Sequence, residues 1–167
     1  GTYSANHLEA LRLEREAGIQ LTYIPHTGTG PLVPAILGGH LTALMNYSML
    51  GVQLEGKVRV LAMASEERVP FLPDVPTFRE QGYEIVGGAF RGIAVPKETP
   101  KEIVDTLAAA FTKVNKAITP KQEPLGFVMT YATAEKAQAL VEQMKKAYTD
   151  VFEDIKKNGM EAMMKYY

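Results

Sequence analysis

Short β-rich runs alternate with helical segments along most of this chain, and that order constrains its fold more than any other feature. Residues 19–24 form a β-rich run ending at Pro25, and a loop holding Gly28 and Gly30 follows. A short apolar helix comes next. Pro31 occupies its first turn, where a missing N–H costs nothing, Pro34 lies early enough to be tolerated, and Gly38 and Gly39 stop it. The pattern repeats at residues 41–47, a strand candidate followed by Ser48 as a helix cap. Residues 57–64 are apolar at nearly every position, as suits a strand buried on both faces by helices. This alternation predicts an α/β fold with a mainly parallel sheet.

The flanking segments read as helices. Ser4 is the expected N-cap of an amphipathic helix over 6–17, closed by Gly18. Pro70, Pro73 and Pro76 punctuate a loop before a short helix over 77–81, and residues 84–95 read as a long extended segment. Two longer helices are expected over 100–117 and 133–157. The second carries Leu140, Val141, Met144, Tyr148, Val151, Phe152 and Ile155 on one face. Met144, Tyr148 and Phe152 are read as core or lobe contacts, not a cofactor box. The tail from Gly159 onward is apolar enough to pack. The glycine pair Gly87-Gly88 is the one candidate boundary.

Composition excludes several function classes. The chain of 167 residues has 18 basic and 19 acidic side chains and a formal net charge of -1, so no long-range field draws it to nucleic acid or an anionic membrane. It has no cysteine, which excludes disulfides, thiolate catalysis and cysteine-type zinc sites. No apolar run approaches the roughly 20 residues of a membrane helix. The histidines His7, His26 and His40 have no zinc-site spacing. Ser4, His7 and Asp74 could be assembled into a triad, but no nucleophile elbow supports it, and Ser4 is accounted for as a cap.

Three loops can carry ligand chemistry: Thr2-Tyr3-Ser4, residues 26–30 and residues 46–48. Each opens a helix. In open α/β sheets ligands bind outside the carboxyl ends of the strands, and helix N-termini there present free N–H groups to carboxylate or phosphate. A purely structural role for such loops is equally open at this point. Gly28-Thr29-Gly30 is no nucleotide loop, because Pro31-Leu32-Val33 follows it in place of the Gly-Lys-Ser/Thr or Gly-x-x-Gly continuations.

The order of motifs resembles the substrate receptors of tripartite tricarboxylate transporters, the Bug family of periplasmic binding proteins. The matching stretches are Gly1-Thr2-Tyr3-Ser4-Ala5-Asn6-His7-Leu8, then Ile24-Pro25-His26-Thr27-Gly28-Thr29-Gly30-Pro31, then Gly38-Gly39 and Gly56-Lys57-Val58-Arg59-Val60-Leu61-Ala62. The most specific are Arg68 with Leu72-Pro73-Asp74-Val75-Pro76-Thr77, and Glu80 with Gly82-Tyr83; Gly92, Pro96 and Thr99-Pro100 close the series. His26-Thr27 replaces the family's usual Tyr-Lys, and Phe90-Arg91 stands where an aromatic, usually Trp, precedes the glycine.

The resemblance implies a two-lobed α/β receptor. Residues 1–87 would be its second lobe and residues 88–167 the returning part of its first, the N-terminal half of that lobe lying upstream of Gly1. It implies capture of a small carboxylate in the periplasm, delivery to membrane permease subunits, no cofactor, no metal and no catalysis. The ligand-binding residues would be Thr2, Tyr3, Ser4, His7, His26, Thr27, Gly28, Thr29, Asn46 and Ser48. A chain with one cleft wall is expected to bind its carboxylate weakly or not at all alone and to self-associate through its uncovered apolar helix face. Two rival readings are a sensor domain of the same fold signalling to a partner kinase, and an α/β enzyme acting on an anionic substrate.

Overall fold

The computed structural model describes residues 4–158 of the chain. Helix α1 spans Ala5–Ala17; Gly18 ends it at φ 65°, its N–H bonded to the Glu14 carbonyl, a left-handed cap that a residue with a Cβ adopts only with strain. Helices α2 (Leu32–Leu37) and α3 (Ser48–Gln53) are short, whereas α4 (Lys101–Gln122) and α5 (Ala134–Asn158) are long. Helix α4 passes its expected end at 117. Its Pro120 lies in the last turn and forgoes one backbone hydrogen bond there, and a 3₁₀ turn at Glu123–Leu125 completes the stop at Gly126. The short helix expected over 77–81 is a 3₁₀ turn at Arg79–Gln81.

The expected parallel sheet is the main departure. Residues 19–24, 41–47, 57–64 and 84–95 form no ladder: pairing among the described residues is a single isolated parallel bridge, Met63 to Thr77. A strand is stabilised by neighbours that pair its edges and cover its faces. Cover is uneven along these segments: Ile85 is buried, but Leu61 is 59% exposed and Ile93 69%. Their β-rich composition does not by itself make a ladder.

The bridge belongs to a local knot built by the most specific of the sequence motifs. Met63 N–H bonds to the Pro76 carbonyl at 2.9 Å, and Phe78 N–H returns to the Met63 carbonyl at 3.0 Å. Thr77 is 2% exposed. Its N–H donates to Glu80 Oε2 at 2.7 Å while Glu80 N–H donates to Thr77 Oγ1 at 3.1 Å, the reciprocal arrangement of a capping box. Arg68 completes it with Nε on Glu80 at 2.9 Å and a bond to the Pro73 carbonyl at 3.1 Å. The Thr77 N–H, followed by Arg68, holds the Glu80 carboxyl below its ordinary range. The signature thus encodes a turn.

The buried apolar residues are few: Leu8, Ala10, Leu50, Leu54, Val69, Ile85 and Val151. Among the described residues, two contacts between helical elements join the first half of the chain to the second. Helix α1 packs on α5, and α3 packs on the Glu123–Leu125 turn. Of the α5 face expected to lie uncovered, Leu140, Val141 and Phe152 are exposed, but Val151 is buried. Helix α4 exposes a parallel stripe of Ile103, Phe111, Val114 and Ile118.

At the second contact Gly126 lies against α3 with φ 86°. A Cβ there would stand 2.7 Å from Met49 Cα and 2.8 Å from Val52 Cγ2, so both strain and overlap oppose a side chain. Gly126→Ala should lower the unfolding free energy by about 2 kcal/mol, measured by urea denaturation.

Candidate ligand-binding site

Thr2 and Tyr3 lie outside the described residues, so the first predicted loop is visible from Ser4 onward. Ser4 holds the N-cap position of α1 in extended conformation, φ -71° and ψ 166°. Its hydroxyl makes no capping bond, and Oγ is buried without a hydrogen-bond partner. The expectation of a side-chain cap is therefore corrected. With ψ at 166° the residue is in place, but its hydroxyl is aimed away from the free N–H groups.

His7, one turn into α1, is 2% exposed. Its ring stacks on Tyr23 with centroids 4.0 Å apart and an interplanar angle of 24°. This contact brings the start of α1 against the run that leads into the second loop. Sequence reasoning missed Tyr23, whose place in a β-rich run gave no sign of a stacking role. In that loop His26 is half-buried, and its Nδ1 lies 3.0 Å from the Ile24 carbonyl. Thr27 and Gly28 are exposed, and the Thr29 carbonyl accepts the Leu32 N–H at 3.1 Å. A Cβ on Gly28 would meet nothing within 4 Å, so space is no reason for glycine there.

The third loop divides its residues between two tasks. Asn46 Oδ1 accepts the Tyr47 N–H at 2.7 Å, while Asn46 Nδ2 is buried without a partner. Ser48 Oγ donates to the Gly126 carbonyl at 2.6 Å. Ser48 is also not the cap of α3: Tyr47 holds that position and Ser48 is the first helical residue. Its hydroxyl is committed to joining α3 to the end of α4, because a buried carbonyl there must be satisfied.

One buried cluster was not legible beforehand. Glu9 is 3% exposed. Its carboxylate accepts from Arg12 Nη1 at 3.0 and 3.3 Å and from the Tyr148 hydroxyl at 2.8 Å. Arg12 also donates to the Val86 carbonyl at 3.0 Å and the Glu84 carbonyl at 3.1 Å. Burial, then the Glu9 charge, pushes the pKa of the Tyr148 hydroxyl up, so it stays a donor. The available signal was a Glu and Arg three apart beside Leu8 in an amphipathic helix, and that spacing does not tell which face is buried. A shallow apolar cavity of about 350 Å³ lies elsewhere, lined by residues such as Val69, Phe71, Phe127 and Met129, and none of the predicted ligand residues lines it.

Burial holds the His7 pKa below its ordinary value of 6.5. A base whose folded pKa is depressed binds fewer protons folded than unfolded, so the associated stability is intact above about 6.5 and is lost as pH falls toward the folded value. The urea midpoint should therefore fall between pH 7.5 and pH 5, and His7→Gln should flatten that slope.

Comparison with known proteins places these features in a family. Residues 1–160 match the profile described as tripartite tricarboxylate transporter family receptor. Protein BugT of Bordetella pertussis is 31% identical over 133 residues, 78% of this chain and 40% of its own length. A TctC solute binding protein from Polaromonas, solved without ligand, matches at a TM-score of 0.77 and 29% identity, covering 92% of this chain and 55% of that one. MatC from Rhodopseudomonas palustris, solved with bound malate, matches at a TM-score of 0.69 and 29% identity, covering 91% of this chain and 53% of that one. The chain thus spans less than half of that curated relative and little more than half of each solved one. With nearly its whole length matched, the chain belongs to the tripartite tricarboxylate transporter receptor family, the Bug family whose motif order it carries.

Proposed function

We propose that this chain supplies ligand-binding loops of a periplasmic receptor that captures a small carboxylate of malate's size and passes it to membrane permease subunits. The observation that carries this reading is the pair of buried, unpartnered polar atoms, Ser4 Oγ and Asn46 Nδ2. Ser4 is the N-cap residue of α1 and Asn46 lies two residues before α3, and both can donate. An ionised carboxylate is acceptor-only. Donors held ready in the fold satisfy it without a cationic side chain, and donors left unmet cost about 1–3 kcal/mol each. Exposed Thr27 and Gly28 add backbone and hydroxyl donors on the second loop, which the His7–Tyr23 stack holds beside α1.

In this reading residues 1–87 form one lobe and residues 88–167 return to the other, with Gly87-Gly88 at the crossing. Malate bound to MatC supports the carboxylate class. A hydrolytic enzyme fits less well: a serine nucleophile needs a base on its hydroxyl, and Ser4 Oγ makes no hydrogen bond. No described helix is long and apolar enough to cross a membrane.

An amide-resolved NMR titration with L-malate tests the proposal and detects weak binding as well as tight. Saturable shifts are expected at Ser4, Asn46 and residues 27–29. Ser4→Ala and Asn46→Ala should each weaken binding roughly tenfold, the value of one charge-assisted bond of about 1.5 kcal/mol. Shifts confined to the cavity beside Phe71 and Phe127, with Ser4 and Asn46 unmoved, would refute it.

A further inference from the structure

We infer that Glu9, Arg12 and Tyr148 form a clasp that fixes helix α1 at the Gly87 crossing, and that Tyr148 is a positioning residue for the ligand donor at the start of that helix. The second half of this inference rests on the carboxylate-receptor reading; the first stands on geometry alone. Glu9 meets donors from two sides, Arg12 on its own helix and Tyr148 from α5, 139 residues later. Arg12 turns its remaining N–H groups to the Val86 and Glu84 carbonyls, so one guanidinium grips both the carboxylate and the extended segment leading to Gly87. That segment is held on its other side by the Gly87 N–H, bonded to the Ala64 carbonyl at 3.1 Å. A second, independent observation points the same way: a Cβ at Gly87 would run into the Glu9 carboxylate, and would stand 3.1 Å from Arg12 Nη1. Three elements therefore meet at one carboxylate with no slack.

A buried ion pair adds little net stability, because desolvation offsets its attraction. Its bonds are directional, however, and what they fix is orientation. Ser4 precedes Glu9 by five residues, roughly 7 Å along the axis at the rise of an α-helix. A tilt of about 10° pivoting at Glu9 displaces Ser4 by on the order of 1 Å, enough to turn a 2.9 Å hydrogen bond into none. Loss of the Tyr148 hydroxyl frees the α5 side of the clasp without touching the ligand loops.

The test uses the whole chain, with Tyr148→Phe compared against Val151→Ala, a packing change at a buried position on the same helix. Hydrogen exchange reads the clasp at the Gly87 amide, and the L-malate NMR titration reads its effect on Ser4. In Tyr148→Phe, exchange at Gly87 should rise at least tenfold and malate affinity should fall about tenfold. Val151→Ala should lower the melting temperature comparably and leave both readouts near wild type. Unchanged Gly87 exchange in Tyr148→Phe overturns the clasp, and an equal loss of malate affinity in Val151→Ala reduces Tyr148 to a structural residue. If the wild-type chain gives no malate shift at all, the receptor reading fails, and the exchange result alone decides the clasp.

Discussion

A carboxylate at 3% exposure must be met by donors on every side, and Glu9 sets that requirement for much of this molecule. Unmet, its burial would cost several kcal/mol; met, it dictates where Arg12, Tyr148 and the backbone from Glu84 to Val86 lie. Helix α1 is thereby held by its middle. Its first turn presents Ser4 and the His7–Tyr23 stack, and its last turn ends at the Gly18 cap. Few of the described apolar residues are buried, and a directional polar cluster adds to their packing in fixing that helix.

The helices were legible from sequence because their signals are local. The Ser4 position, Gly18 and the long apolar spacing of α5 place their ends within a residue or two of those observed. The strands were not, because a β-rich run reports only a preference for extended backbone. Whether Leu61 or Ile93 joins a ladder depends on segments far along the chain, and no composition rule carries that information. Sites divided along the same line. Ser4 and Asn46, placed by their loops, hold the unpartnered polar atoms. Ser48, placed by the same logic, is bound to Gly126, a partner that only the tertiary structure reveals.

The family signature illustrates a further separation. Arg68, Pro73, Thr77 and Glu80 were the most diagnostic residues in the sequence, and they bond to one another. Recognition of the family therefore rested on residues that shape a turn, while the residues that would discriminate among carboxylates lie in the more ordinary Thr- and Gly-containing loops. His26 and Thr27, where this chain departs from the family pattern, are half-buried and exposed respectively, so a change there leaves the core undisturbed.

The two polar knots also differ in what the chain must do to make them. Every bond of the Arg68 turn closes a loop of 15 residues or fewer, which a chain samples within about 100 ns. The Tyr148 to Glu9 bond closes 139 residues. By the logarithmic dependence of loop closure on length, that contact carries about 2 kcal/mol more entropic cost than a 12-residue one. The turn can thus assemble on its own in an otherwise unfolded chain, whereas the Glu9 cluster becomes favourable only after α5 has been brought back across the molecule. Loop entropy thus favours the local turn over the long-range closure, and the orientation of α1 depends on the return of α5 rather than on its own neighbours in sequence.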